Sequence, residues 1–114
     1  MKLLFVPFSG EALCVMHLLL NALDAADRGH EAGIVFEGAS TALVPVYAAP
    51  DNPFHGLYAR AKARGLIRGA CKACSNKMGV LDAVQAEGLA LLDELGGHPS
   101  LARYAAEGFA IVTV

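Results

Sequence analysis

Cys71-Lys72-Ala73-Cys74 is the segment whose residue types and spacing best support chemistry, because two thiols three residues apart fall on one turn of a helix. The apolar run before it, Leu66 to Ala70, reads as a strand, which places Cys71 at a strand's carboxyl end where a helix begins. Unpaired N–H groups and the positive end of the helix dipole favour a thiolate there, and Lys72 and Lys77 can add to the effect. The thiolate is the nucleophile, so Cys71 is the candidate reactive residue. Cys74 is close enough to form a disulfide, a mixed disulfide or a shared metal site with it. Its place in the series Cys74, Met78, Leu81, Val84 also fits a buried structural residue.

Cys-x-x-Cys spacing serves both redox pairs and zinc sites, and context must separate them. A zinc site wants a second pair of ligands, and the chain offers Cys14 and four scattered histidines, so neither a metal nor a cofactor is expected. Thioredoxin-type proteins carry the motif after their first strand, whereas here it follows the third. Cys14 lies in an apolar helix and reads as core. His98, before Pro99 and Ser100, follows the fourth strand; it is a candidate neighbour of Cys71, or His98 or Ser100 caps the next helix with Pro99 in its first position. Ser9-Gly10-Glu11 forms the first strand-to-helix loop, but Glu11 opposes anion binding. There is no G-x-G-x-x-G fingerprint and no Walker-type lysine motif.

The elements that must position these residues announce themselves by a repeated junction: a helical segment ends in a charged residue plus glycine, and an apolar run follows. The junctions are Arg28-Gly29 before Ala32 to Phe36, Arg64-Gly65 before Leu66 to Ala70, Glu87-Gly88 before Leu89 to Leu92, and Glu107-Gly108 before Phe109 to Val114. With an opening strand from Leu3 to Phe8, five short strands alternate with helices, which implies a parallel sheet covered on both faces. In such sheets ligands bind beyond the carboxyl ends of the strands, so the loops after Phe8, Phe36, Ala70 and Leu92 are the ones to watch.

The first helix, about Glu11 to Arg28, has polar residues at His17, Asn21, Asp24 and Arg28 along one narrow stripe and is apolar nearly everywhere else. That excess predicts a second covered surface, most simply another subunit. Between Gly38 and Pro53 the prolines at 45, 50 and 53 break any long element, and the stretch reads as a surface excursion, a connection or a lid, with at most a short helix over Thr41 to Val44. Asn52-Pro53 then starts a helix running to Arg64 with Pro53 at its first position.

A chain of 114 residues, 55% hydrophobic and 18% charged, fits one domain over residues 1–114 with a filled core. The net charge of −2 gives no basic footprint for nucleic acid or an anionic membrane surface. Lys2 and Leu3 to Val6 begin like a signal peptide, but Pro7, Ser9, Gly10 and Glu11 end the apolar run, and no stretch approaches the ~20 residues that span a bilayer. Three cysteines in so apolar a domain need no disulfide staples, which points to a reducing cytoplasm.

The strand ending in Cys71, followed by Gly79-Val80, resembles the active-site segment of DsrE/DsrF-like proteins, and the likeness extends to the Leu3 to Val6 strand, the apolar first helix and the Ala90 to Val114 section. The resemblance implies a three-layer α/β/α sandwich with a five-stranded, mainly parallel sheet that assembles into homo- or hetero-oligomers, often trimers or hexamers. It also implies that the cysteine at position 71 accepts sulfur as a persulfide and passes it to a partner protein, as in sulfur-relay subunits. This sequence departs from those subunits at Cys74, where they commonly have a small residue. A second thiol could resolve a persulfide, releasing sulfide and leaving a disulfide. The expected function is therefore a cytoplasmic sulfur carrier or sulfurtransferase component using Cys71, the alternatives being a dithiol redox or sensing protein using Cys71 and Cys74, or a non-catalytic oligomeric binding module. Lys72, Lys77 and His98 are the candidate substrate-contacting residues.

Overall fold

In the computed structural model, which describes residues 1–114, five strands form one all-parallel sheet: β1 (Lys2–Val6), β2 (Glu31–Phe36), β3 (Ile67–Cys71), β4 (Leu91–Leu92) and β5 (Phe109–Thr113). Their order across the sheet is β4-β3-β2-β1-β5. Six helices connect them: α1 (Ala12–Asp27), α2 (Leu43–Ala48), α3 (His55–Ala63), α4 (Lys72–Lys77), α5 (Leu81–Ala86) and α6 (Leu101–Ala106). The expected three-layer α/β/α sandwich is the observed one. Each junction glycine, Gly29, Gly65, Gly88 and Gly108, has positive φ immediately after its helix.

The two faces are unequal. One carries the main core, in which Val15, Leu19 and Leu23 of α1, Tyr58 of α3 and Val84 of α5 pack on Phe5, Ile34, Phe36 and Ala70 of the sheet. The other is covered by α6 alone, through Tyr104 against Leu4, Val6, Val35 and Phe109. The connections leaving β1, β2 and β3 therefore lie over the first face, while the one leaving β4 crosses to the second. β3 and β4 are neighbours whose chains depart to opposite sides, and α/β sheets of this kind bind ligands beyond the carboxyl ends of such a pair.

Three expectations are corrected. The stretch after Phe36 is not a surface excursion: a 3-10 helix at Gly38–Ala42 runs into α2, and Ser40, Thr41, Val44 and Tyr47 are wholly buried. Pro45 is tolerated because it lies in the first turn of α2, where a helix leaves its N–H groups unpaired in any case. The Tyr47 hydroxyl donates to the Ala12 carbonyl at 2.7 Å, pinning the segment to α1 and leaving little freedom for a lid. The next helix begins at His55 rather than at Pro53, because the Asn52 side chain accepts the Phe54 N–H at 2.9 Å and holds a turn first. The fourth strand is only Leu91–Leu92, since Leu89 turns into the main core. It presses so closely on β3 that a Cβ on Gly69 would stand 2.5 Å from the Ala90 carbonyl oxygen, which only glycine permits.

Candidate functional site

Cys71 is the last residue of β3 and the N-cap of α4, and its sulfur accepts the Cys74 N–H at 3.3 Å. The first turn is fastened further by Ser75, whose hydroxyl donates to the Cys71 carbonyl at 2.7 Å. Opposite stands the loop from β4 to α6. Gly96 and Gly97, with φ of +58° and +95°, make a tight turn closed by paired backbone hydrogen bonds between Leu95 and His98. The Gly97 carbonyl accepts the Ala73 N–H at 2.9 Å and so docks this loop on the start of α4. His98 is thereby presented with Nδ1 3.1 Å from Cys71 Sγ and 3.8 Å from Cys74 Sγ. Ser100, not His98, caps α6 by accepting the Arg103 N–H, and Pro99 precedes the cap instead of opening the helix.

The rim has a further member that the sequence reading passed over. Glu37, the first residue after β2, is only 7% exposed, and its Oε1 lies 3.9 Å from His98 Nδ1. It is held by the 3-10 helix: Ser40 Oγ sits 2.7 Å from the carbonyl oxygens of both Pro7 and Glu37. The available signal was positional, because the loop after Phe36 is one of the strand-end loops where ligands are expected. Burial raises the Glu37 carboxyl above the ordinary carboxylate range, partly offset by His98.

Cys71 does not have the electrostatics expected of it. Its residue is wholly buried, and that burial, with the neighbouring Cys74 thiol and the Glu37 carboxylate, pushes its pKa up to about 12 against the Cys74 N–H bond that lowers it. The helix N-terminus offsets this only in part: the Cys74 N–H reaches the Cys71 sulfur, but the Ala73 N–H is taken by the Gly97 carbonyl. Neither lysine approaches the buried sulfur as an ion-pair partner. Lys72 pairs with Asp93 at 3.6 Å, and Lys77 borders a shallow pocket of 240 Å³ together with Cys74, Met78, Gly38 and Ala39. Cys74, partly exposed, is thus the thiol on the open side. The series through Met78 is not a buried stripe, because the chain breaks between α4 and α5 and Met78 is 43% exposed.

Cys14, expected in the core, is partly buried on α1 and stands apart from this cluster. A larger hollow of 490 Å³ beside α1 is lined by Leu3, Phe5, Leu18, Asp24 and Arg28 among others. It holds no thiol, and its Asp24 and Arg28 pair with each other at 3.0 Å. Of the four histidines scattered along the sequence, His98 is brought by the fold to the two cysteines, and Glu37 joins them.

No helix is long and apolar enough to cross a membrane. No family model and no solved structure matches the chain. Among curated proteins it is similar to Uncharacterized protein MJ0733 of Methanocaldococcus jannaschii, with 26% identity over 98 residues that cover 86% of this chain and 78% of that protein.

Proposed function

We propose that this protein carries out thiol exchange through the Cys71/Cys74 pair, with Cys74 meeting the incoming sulfur compound and Cys71 resolving the adduct. The observation that carries the reading is the asymmetry of the pair: one sulfur lies on an open pocket, the other is buried behind it with an imidazole nitrogen 3.1 Å away. With a persulfide donor RSSH, the Cys74 thiolate attacks the outer sulfur, forming a Cys74 persulfide and releasing RSH. Cys71 then gives its proton to His98 and attacks the Cys74 sulfur, forming the Cys71–Cys74 disulfide and expelling hydrosulfide. A disulfide substrate follows the same two displacements with a thiol as leaving group. His98 suits the second step, because a thiol held near pKa 12 needs a base at hand to become a nucleophile. Unpaired cysteines and the absence of any need for disulfide staples favour a reducing, cytoplasmic setting.

The test is a count of free thiols per chain before and after mild oxidant. The wild type loses two, Cys14 remaining, and Cys71→Ser or Cys74→Ser loses none by intramolecular closure; loss of no thiols in the wild type sinks the reading.

A second reading, sulfur carriage on Cys71 with transfer to a partner protein, is favoured by the position of Cys71 at a strand's carboxyl end and by the resemblance to DsrE/DsrF-like proteins. It requires Cys71 to hold a persulfide without Cys74, and the two readings separate on Cys74→Ser. Assembly into a homo-oligomer, a trimer or hexamer in such proteins, accompanies either one and is supported by the exposed apolar residues of α1.

A further inference from the structure

We propose that Glu37, Cys71, Cys74 and His98 together form a binding site for a thiophilic divalent cation of the zinc class. Their ligand atoms, two sulfurs, one imidazole nitrogen and one carboxylate oxygen, all lie within 4.8 Å of one another. Tetrahedral ligands around zinc, at ~2.3 Å for sulfur and ~2.0–2.2 Å for nitrogen or oxygen, stand roughly 3.3–3.8 Å apart. From His98 Nδ1 the distances are 3.1 Å to Cys71 Sγ, 3.8 Å to Cys74 Sγ and 3.9 Å to Glu37 Oε1, so small side-chain shifts close the set.

The arrangement differs from that of a proton relay. A Cys-His-carboxylate relay places the nucleophile and the carboxylate on opposite ring nitrogens. Here both sulfurs and the carboxylate gather around the same nitrogen, as ligands do around a common centre. Glu37 points the same way: its residue is 7% exposed, no donor group of the chain makes a hydrogen bond to its carboxylate, and its charged neighbour is His98 at 3.9 Å, so an ion would supply the ligand contact that the carboxylate lacks. The ligands come from three separate rims, the ends of β2 and β3 and the loop after β4, each fastened by its own hydrogen bonds through Ser40, Ser75 and Gly97. Such outer contacts orient first ligands in metal sites generally.

Binding is a proton exchange with no change of oxidation state: the cation forms two metal–sulfur bonds, and two thiol protons leave to water. While the ion is held, neither sulfur is free to attack, so occupancy and thiol exchange are alternative states of one cluster. The inference uses the residues of the exchange reading but does not require that exchange occur.

The experiment is a titration of the reduced, chelator-treated full chain with Co²⁺ alone, followed by displacement with Zn²⁺. The expected result is one ion per chain with thiolate-to-cobalt charge-transfer absorption and the strong visible bands of tetrahedral cobalt, both abolished by Zn²⁺. Glu37→Gln and His98→Ala should each weaken Co²⁺ binding by at least about tenfold with unchanged far-UV circular dichroism. Cys71→Ser and Cys74→Ser should each lose much of the charge-transfer intensity. Absence of charge-transfer absorption, the weak visible spectrum of octahedral cobalt, or unchanged affinity in both Glu37→Gln and His98→Ala would overturn the site. Glu37→Gln is close to isosteric and guards against a folding artefact. Disulfide formation without cobalt binding overturns this proposal alone; cobalt binding without disulfide formation overturns only the exchange reading.

Discussion

Two sulfurs three residues apart differ more in surroundings than their spacing implies. Cys71 is wholly buried with its thiol pushed up to about 12, whereas Cys74 borders the open pocket. Alkylation of reduced, chelator-treated protein at neutral pH should therefore label Cys74 faster than Cys71 by more than about tenfold, read by peptide mass mapping. A second residue-scale consequence concerns the phenols of Tyr47 on α2 and Tyr58 on α3. The Tyr58 hydroxyl donates to Glu87 Oε1 at 2.6 Å, and burial together with that carboxylate raises its pKa above 10.0; burial raises Tyr47 to about 12. Both keep their protons in the fold at pH values where the unfolded chain has released them. Their contribution to stability is complete below about pH 10 and declines as pH rises, by at most about 1.4 kcal/mol per pH unit for each group. Denaturant unfolding of Tyr58→Phe should fall less steeply above pH 10 than that of the wild type.

At the scale of elements, the site depends on how closely β4 lies against β3. Gly69→Ala would put a methyl group 2.5 Å from the Ala90 carbonyl, and the strands must part. The expected cost is about 2–3 kcal/mol, a fall in Tm of roughly 10 °C by calorimetry, with faster alkylation of Cys71 as the His98 loop lifts. Much of this scale was legible in the sequence. The glycine junctions marked the helix ends, and the rule of strand carboxyl ends put Cys71 and His98 on facing loops. Glu37 was not legible, because a glutamate after an apolar run reads as a solvated loop residue until the 3-10 helix behind it buries it. The α2 helix that continues from it was itself hidden by Pro45, whose position in a first turn cannot be read from the proline alone. The thiol's electrostatics were misread for a related reason: the sequence shows a helix start but not that Gly97, far along the chain, occupies one of its N–H groups.

For the whole molecule, large apolar side chains stay exposed on α1 and at the far edge of the sheet. Leu13 and Leu20 of α1 are 57% and 45% exposed although the same helix buries Val15, Leu19 and Leu23. Beyond the far edge strand, Val114 is 46% exposed. Leu13 and Leu20 lie beside the polar residues on the exposed side of α1, and they support the proposed assembly in which a further copy of the chain covers this helix. Sedimentation equilibrium should give a mass above one chain for the wild type and one chain's mass for the Leu13→Asp, Leu20→Asp double variant with unchanged circular dichroism; a monomeric wild type would contradict this. At the same scale, the opposite departures of the chain after β3 and β4 bring the thiol pair and the His98 loop together at one end of the sheet.

Exchange that enters at Cys74 and is resolved by Cys71 should be visible in the intact mass after incubation of the reduced, chelator-treated protein with a small-molecule persulfide. The wild type should lose two hydrogens and release sulfide, Cys71→Ser should gain one reductant-sensitive sulfur on Cys74, and Cys74→Ser should remain unmodified at Cys71. A Cys74→Ser protein that gains one sulfur on Cys71 would contradict the account.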